Sequence, residues 1–240
     1  MLISFPNDKG GAGKTTACLC LACAYAAQHD RVHIIDTDTN ATATRWLTGH
    51  TDARKLTTTE PMPTSIEGVT ITRPRLDELQ QHVKALHRTG DYDHILIDLA
   101  GTRDAANLKA MVTSDLVIIP AAPQEGSYDG AVKAIADLTD MRDITGRAVP
   151  YRVLLTQVKT IGPAAQGRII AEIAAARLPR FATVLMVRAP YEEIGLTGKP
   201  PHAADNSREA VQKARAEVSA LVAEIGALMR ADPKTVAKVA

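Results

Sequence analysis

The amino-acid sequence predicts a doubly wound α/β fold, in which helices cover both faces of a mainly parallel sheet. Short apolar runs rich in β-branched residues alternate with segments of helical period along the chain, and this alternation is typical of a parallel sheet. Several runs are apolar throughout, as expected of strands that are buried on both faces. The length of 240 residues fits a single domain that spans residues 1–240.

The predicted elements follow from these runs in chain order. Seven apolar runs are predicted to be strands: Leu2–Phe5, Val32–Ile35, Val69–Thr72, Ile95–Ile97, Leu116–Ile119, Arg152–Leu155 and Thr183–Val187. Helical spacing of apolar residues predicts helices over Thr16–Gln28, around Leu76, Leu79, Val83 and Leu86, around Val132, Ile135 and Leu138, and over Ser207–Arg230. The segment Thr48–Gly68, rich in Thr and Pro, is predicted to be an irregular surface excursion.

The composition excludes several classes of protein. Hydrophobic residues make up 45% and charged residues 23% of the chain, which excludes disorder, collagen-like repeats and disulfide scaffolds. A net charge of +1 argues against coating nucleic acid through bulk positive potential. Cys18, Cys20 and Cys23 are crowded on one segment, which predicts reduced, buried thiols. We therefore expect a cytoplasmic protein, since no signal-peptide pattern or membrane-length apolar run is evident.

A glycine-rich loop directly after the first predicted strand carries the strongest functional signal. It reads Asp8-Lys9-Gly10-Gly11-Ala12-Gly13-Lys14-Thr15-Thr16. Glycines let backbone N–H groups point at phosphate oxygens, and the N-terminal end of the next helix adds positive potential. In such a loop Lys14 reaches the β- and γ-phosphates and the Thr15 hydroxyl ligates Mg²⁺. The alternative, a turn that happens to contain Lys-Thr, is disfavoured by the strand–helix context.

This loop has Asp8 where the general pattern has Gly, and a second lysine at Lys9. With these features the sequence resembles the ParA/MinD family of deviant Walker-A P-loop ATPases, and the small ParA-like partition ATPases most of all. The resemblance implies a P-loop NTPase fold with ATP and Mg²⁺ as cofactors, in which the loop residues 9–16 contact the nucleotide. It also implies an ATP-dependent homodimer in which Lys9 reaches the partner's phosphates. We expect the Asp8 carboxylate to point outwards or to pair, because an inward carboxylate would weaken ATP binding.

Two apolar strands end in carboxylates. Asp36 and Asp38 follow one strand and stand at alternate positions, so both side chains can project towards one site. The resemblance assigns Asp38 to orienting the attacking water and Asp36 to the magnesium hydration shell, although this chain continues with Thr39-Asn40 where the family has Pro-Gln. The alternative is that these acids cap a helix. Asp98 ends the other strand as a Walker B carboxylate does, holding the water shell of Mg²⁺.

Weaker matches extend the resemblance over nearly the whole chain. Gln157 ends a strand where the family often places an Asn that contacts adenine. Arg188 and Pro190 lie in a segment that resembles the late loop covering the base. Gly101, after the Walker B strand, resembles a switch position that brings a backbone N–H near the γ-phosphate. Trp46 stands where small partition ATPases often carry Trp, and a simple packing role is the alternative.

Lys14, Thr15, Asp38 and Asp98 together predict transfer of a phosphoryl group to water. The resemblance implies that Lys9, Lys14 and Asp38 are the catalytic residues of this ATP hydrolysis. The resemblance implies a slow ATPase that binds DNA non-specifically as the ATP dimer, is nucleoid-associated in that state, and is stimulated by a ParB-like or adaptor partner. Its cargo would be a plasmid, a chromosome or a protein cluster.

Three alternatives stay open at this point. One is a ParA-like recruiter of a DNA-transfer complex, and another is an electron-transfer or biosynthetic relative on the same fold. The third is a MinD-like membrane switch anchored by residues 232–240, but this tail is short and lacks Phe, Trp and Leu, which argues against stable insertion. The candidate DNA contacts are late basic residues: Arg208, Lys213, Arg215, Arg230, Lys234 and Lys238. Glutamates lie among them, so a solvated helix face is the alternative.

Overall fold

The computed structural model describes residues 1–231. Seven strands form one sheet: β1 (Leu2–Phe5), β2 (Val32–Asp36), β3 (Thr58–Pro63), β4 (Val69–Arg73), β5 (His94–Asp98), β6 (Leu116–Ala121) and β7 (Tyr151–Leu155). Their order across the sheet is β3-β4-β2-β5-β1-β6-β7. All neighbouring strands run parallel except β3, which is antiparallel to β4.

The helices connect these strands and lie on both faces of the sheet. They are α1 (Lys14–Ala26), α2 (Thr42–Thr48), α3 (Leu79–Thr89), α4 (Ala105–Thr113), α5 (Glu125–Thr145), α6 (Ala164–Ala175), α7 (Ala189–Glu192), α8 (Ile194–Thr197) and α9 (Glu209–Arg230), with short 3₁₀ turns at Ala53–Lys55 and Pro201–Ala203. One apolar core packs α1 and α9 against the sheet, and a second packs α3, α4 and α5 against the opposite face. The predicted doubly wound fold is confirmed.

The nearly apolar helix predicted at Thr16–Gln28 is α1, and every residue from Ala17 to Tyr25 in it is buried. Its three cysteines are buried free thiols, as predicted. Burial between the sheet and α9 explains why this helix has no polar face. The N-terminus of α1, which directly follows the glycine-rich loop, is therefore held in place by packing against the sheet and α9.

Six of the seven predicted strands are present, but Thr183–Val187 is not a regular strand. Its backbone runs beside the end of β7, where the Leu185 N–H donates to the Leu155 carbonyl oxygen at 2.9 Å and Met186 forms an isolated bridge with Val158. Side chains of α9 bind this segment, because Glu224 accepts the Thr183 N–H at 2.7 Å and Glu217 accepts the Met186 N–H at 3.2 Å. Glu224 thereby takes the Thr183 N–H, which in a regular strand would point to the β7 side, as the N–H groups of Leu185 and Val187 do.

Two other details differ from the prediction. The supposedly irregular Thr48–Gly68 segment contains β3, an exposed edge strand with prolines at positions 61 and 63. Proline is tolerated at an edge, where its missing N–H costs no ladder hydrogen bond, so the composition concealed this strand. In α5 the predicted stripe fails at Val132, which is 42% exposed, because the small residues Ala131 and Ala134 face the core instead.

The stripe predicted for the last helix is confirmed from Val211 to Ile225. The helix begins at Glu209 rather than at Ser207, and its N-terminal flanking residue Arg208 makes no side-chain cap. Within residues 1–231, no helix combines the length and the apolar character that crossing a membrane requires.

Candidate nucleotide-binding site

The glycine-rich loop joins β1 to α1 at the carboxyl edge of the parallel strands, where ligands bind in open α/β sheets. Gly11 and Gly13 have φ of 78° and 88°, in the left-handed region that other residues rarely adopt. A Cβ at Gly13 would also lie 3.1 Å from the Thr156 side chain. These two glycines therefore let the loop turn tightly beside the end of β7.

The loop forms one wall of a cavity of about 280 Å³. The lining residues are Gly10, Gly11, Ala12, Gly13, Lys14, Thr15, Thr16, Asp38, Asn40, Thr42, Trp46 and Gln157. The structure thus brings the predicted phosphate-binding lysine and threonine together with Asp38. The Lys14 ammonium lies 3.4 Å from the Lys9 carbonyl oxygen, and no carboxylate of residues 1–231 lies within salt-bridge distance of it.

Asp98 lies beneath the loop at the end of β5. The Thr15 hydroxyl donates to Asp98 Oδ2 at 2.7 Å, while Asp98 Oδ1 is buried and has no hydrogen-bond partner among residues 1–231. Burial, and after it the neighbouring Asp36 charge, raise the pKa of Asp98 to about 8. A hydroxyl and an unsatisfied carboxylate oxygen are hard ligands suited to a hydrated Mg²⁺ ion, so these residues fit the cation that the resemblance implies.

Asp36 ends β2 with both carboxylate oxygens engaged. Asp36 Oδ2 accepts the backbone N–H and the hydroxyl of Thr44 at 2.9 and 2.7 Å. Asp36 Oδ1 accepts the Asp38 N–H at 3.0 Å and lies 3.5 Å from Arg73 Nη1. Thr44 is in the first turn of α2, so this geometry favours the helix-capping alternative over a place in the magnesium hydration shell.

Asp38 follows in the loop before α2 and lines the cavity. Its carboxylate accepts the Asn40 N–H at 3.2 Å and the Thr42 hydroxyl at 3.4 Å. Between the two acids, Thr37 ties this loop to β5, because its N–H and its hydroxyl both donate to the Asp98 carbonyl oxygen at 3.1 Å. The loop bearing Asp38 is thereby joined to the strand bearing Asp98.

Arg73, at the end of β4, contacts the site although it was not among the site residues predicted from the sequence. Its side chain is only 11% exposed, and its Nη1 donates to the Asp38 carbonyl oxygen. Nothing in the local sequence marks an arginine at the end of a strand as part of a site. It contacts the Asp38 loop because β4 is the neighbour of β2 in the sheet.

Asp8 points away from the cavity, as expected. Its Oδ2 lies 3.3 Å from the Lys133 ammonium on α5. The Lys9 side chain is exposed and lies over Gly126, where a Cβ would come within 3.2 Å of Lys9 Cε. Gly101 lies beside the same loop, since a Cβ there would stand 3.4 Å from the Asp8 carbonyl oxygen.

A second cavity of about 270 Å³ adjoins the first, and the two share Gly13, Thr16, Trp46 and Gln157 in their linings. Gln157 and Arg188, two of the residues that the resemblance places near the base, both line it. Pro190 does not: it is buried at the start of α7, and its neighbours Tyr191 and Glu192 line the cavity instead. The Gln157 side-chain amide donates to the Gly11 carbonyl oxygen and so braces the phosphate loop.

Glu217 of α9 organises the far wall of this second cavity. Its carboxylate pairs with Arg188 at 2.6 Å and accepts the Tyr191 hydroxyl at 2.8 Å. Glu217 is one of the glutamates among the late basic residues, on which the alternative of a solvated helix face rests. A pattern of charges along a helix cannot distinguish a solvated acid from one that holds a loop.

The predicted DNA-contacting residues are mostly engaged within the chain. Arg208 makes a bidentate pair with Glu193 at 2.6 and 2.7 Å, Lys213 pairs with Glu209 at 2.6 Å, and Arg215 donates to three backbone carbonyl groups. This geometry favours the helix-face alternative for these three cations. Arg230 is exposed at the end of α9, while Lys234, Lys238 and the candidate anchor 232–240 lie outside the described residues.

Comparison with known proteins adds three findings. The family model described as "VirC1 protein" matches residues 1–216. The carboxysome-distribution maintenance protein A of Gloeobacter kilaueensis is 27% identical over 205 residues, covering 82% of each chain. The chromosome partitioning protein ParA of Caulobacter vibrioides is 26% identical over 168 residues, covering 59% of this chain and 63% of that protein.

The fold also matches solved structures. An Asp-to-Ala variant of Cyanothece McdA in complex with ATP superposes with a TM-score of 0.75 at 14% identity, covering 94% of this chain and 96% of that one. At such low identity the match establishes a common fold, and the residues described above carry any argument about chemistry.

Proposed function

This chain belongs to the VirC1 family within the ParA/MinD-like P-loop ATPases, and from that premise we propose that it is a slow, dimerising ATPase that positions cargo. It binds ATP with Mg²⁺ in the two adjoining cavities, closes into a homodimer and hydrolyses ATP to ADP and phosphate. One observation carries the proposal: Lys14, Thr15 and Asp38 line one cavity, and Asp98 lies beneath it with an unpartnered oxygen.

Each of these residues has a role that its position supports. The loop N–H groups and Lys14 bind the phosphates and offset their charge, while Thr15 and Asp98 hold the cation and its water shell. When bound, Mg²⁺ would neutralise charge that develops on the phosphate oxygens. Asp38 orients the water that attacks the γ-phosphate, since it is the carboxylate that lines the cavity. The second cavity takes the base between Trp46 and the Arg188 segment.

Lys9 supports the dimeric part of the proposal. Its side chain is exposed at the mouth of the loop and makes no ion pair with any carboxylate of residues 1–231. A cation held in this way is available to the phosphates of a facing copy. Hydrolysis would then separate the two copies, so that the ATP cycle works as a switch.

The cargo is proposed from the named relatives, which maintain carboxysome distribution and partition chromosomes. We propose that the ATP dimer binds DNA without sequence preference and that a ParB-like or adaptor protein stimulates hydrolysis. A dimer doubles any basic surface, and this strengthens salt-dependent binding to phosphates. The α9 cations that pair within the chain are not assigned to that contact.

The test is a titration with Mg²⁺ and ATPγS, followed by calorimetry and by the fluorescence of the chain's one tryptophan, Trp46, which lines both cavities. Sedimentation of the saturated protein then gives its mass. We expect micromolar or tighter binding and a dimer, and we expect Lys14→Ala to bind no nucleotide and to stay a monomer.

Lys199→Ala is a suitable control, since Lys199 is an exposed lysine outside both cavities. It should bind and dimerise like the wild type. Unchanged nucleotide affinity in Lys14→Ala would refute the assignment of the site. A wild-type chain that remains a monomer when saturated would refute the dimeric switch.

A further inference from the structure

We propose that Arg73 is a positioning residue for hydrolysis, which holds the loop from Thr37 to Thr44 so that the Asp38 carboxylate faces the nucleotide. The inference rests on the proposed function, because it assigns to Arg73 the alignment of the water-orienting carboxylate. Arg73 itself is not among the residues that line the phosphate-side cavity, so its effect on chemistry must pass through the loop.

The guanidinium contacts two carbonyl groups of the loop and the carboxylate of Asp36 at the end of β2. Nη1 donates to the Asp38 carbonyl oxygen and lies 3.5 Å from Asp36 Oδ1. Nη2 donates to the Thr39 carbonyl oxygen at 3.5 Å. A planar fork with several donors can bind carbonyl groups and a carboxylate together, which an ammonium ion cannot do in the same geometry.

Burial makes these contacts persistent. Asp36 is fully buried and Arg73 is 11% exposed on its side chain, so water screens their attraction poorly. Asp36 in turn binds both Thr44 donors in the first turn of α2. Arg73 and Asp36 therefore form a frame that spans the loop from its first residues to the helix that follows.

The Asp38 carboxylate depends on this frame because its own hydrogen bonds are long. They join it to the Asn40 N–H and the Thr42 hydroxyl at 3.2 and 3.4 Å, both within the same loop. Contacts inside the loop move with the loop and cannot fix its place in the site. From outside the loop, Thr37 is joined to the Asp98 carbonyl oxygen and the Ala100 N–H, and the Asp38 N–H donates to Asp36. Arg73 from β4 is the side chain that binds the Asp38 and Thr39 carbonyl groups.

The backbone at this point is also in an uncommon conformation. Ala41 has φ of 50° and is completely buried, and its N–H donates to the Asp38 carbonyl oxygen at 2.9 Å. That carbonyl oxygen therefore accepts from both Ala41 and Arg73. Without the guanidinium, the left-handed turn loses the outside contact that supports it.

The experiment compares Arg73→Met and Arg73→Lys with the wild type in two measurements. Calorimetry gives the affinity for Mg²⁺–ATPγS, and single-turnover release of labelled phosphate from ATP gives the rate constant for hydrolysis. We expect Arg73→Met to slow hydrolysis about 10- to 100-fold, the size of effect that a small misplacement of a reacting group produces. We expect its ATPγS affinity to stay within about threefold of the wild type, since the phosphate loop is untouched.

Arg73→Lys should recover part of the rate, because it keeps the charge opposite Asp36 while losing the fork. Arg75→Met is the matched control: Arg75 stands two positions away, its side chain is 65% exposed and its carboxylate partner is Asp77. It should hydrolyse ATP at the wild-type rate. If Arg73→Met leaves too little folded protein, the double variant D36N/R73M removes both buried charges and serves in its place.

The outcomes separate this inference from the proposed function. A wild-type chain that neither binds nor hydrolyses ATP would overturn the proposed function, and the role of Arg73 with it. If the wild type hydrolyses ATP, hydrolysis by Arg73→Met at the rate of Arg75→Met would overturn the positioning role alone. An equal loss of affinity and rate would also overturn it, because that result indicates general disruption of the site.

Discussion

Asp36 and Asp98 show how the same local pattern serves two purposes. Each ends an apolar strand, each is fully buried, and the two are partners in the register between β2 and β5. Asp36 has four contacts that engage both of its oxygens. Within the described part of the chain, the Asp98 carboxylate accepts one hydrogen bond, from Thr15, and its other oxygen has no partner. A carboxylate with both oxygens hydrogen-bonded, such as Asp36, stabilises the fold. A carboxylate with one oxygen left without a donor, such as Asp98, can still bind a cation or its water shell.

The substitution Asp36→Ala should have the largest effect on stability of the changes considered for Asp36 and Asp98. We expect it to lower the free energy of unfolding by about 3–5 kcal/mol, because it leaves Arg73 buried without its counter-charge and removes the acceptor of two Thr44 donors. Urea denaturation of the nucleotide-free protein measures this loss.

The control for that variant is Asp77→Ala. Asp77 also pairs with an arginine, but its side chain is 66% exposed, so we expect its loss to leave the free energy of unfolding nearly unchanged. If the two variants were equally stable, the structural role given to Asp36 would be wrong.

Asp98→Asn should give the opposite pattern. It replaces a carboxyl group that burial and the neighbouring Asp36 make costly to ionise, so we expect the free energy of unfolding of the nucleotide-free protein to be unchanged or higher. Hydrolysis of ATP in the presence of Mg²⁺ should fall about 100-fold or more, since a charged group that acts on the transferring phosphate is lost. Steady-state phosphate release and urea denaturation together measure the two effects. A large loss of stability with normal turnover would reverse the roles of the two carboxylates.

The smallest expected effect concerns pH. The folded-state pKa of Asp98 is about 8, above its ordinary value of about 4. Folding therefore favours the protonated form, and this contribution to stability is complete below about pH 4 and is lost as the pH rises towards 8. The slope can reach about 1.4 kcal/mol per pH unit.

Denaturation of the nucleotide-free and magnesium-free protein at several pH values between 5 and 8 measures this slope. Asp98→Asn should remove the part that Asp98 contributes, giving a flatter profile than that of the wild type. Parallel profiles for the two proteins would show that Asp98 is already ionised in the folded state across this range.

Features encoded by neighbouring residues were predicted well. The phosphate loop, the strand that ends at Asp98 and the buried helix α1 each occupy one short stretch, so their chemistry is visible in the order of residues. The edge strand β3 and the wrongly predicted strand at Thr183–Val187 show the limit. One depends on its place at the edge of the sheet and the other on carboxylates from α9.

Local sequence patterns were therefore sufficient to predict a mainly parallel α/β fold, its phosphate loop and the carboxylates around that loop. The tertiary structure alone decided which carboxylate keeps an oxygen free, that Arg73 holds the Asp38 loop, and that Glu217 holds the wall of the second cavity. The physical reason is that these contacts join residues far apart in the chain. Strand order brings Arg73 beside Asp36, and helix packing brings Glu217 to Arg188. Neither contact can be predicted from the residues that neighbour these side chains in the sequence.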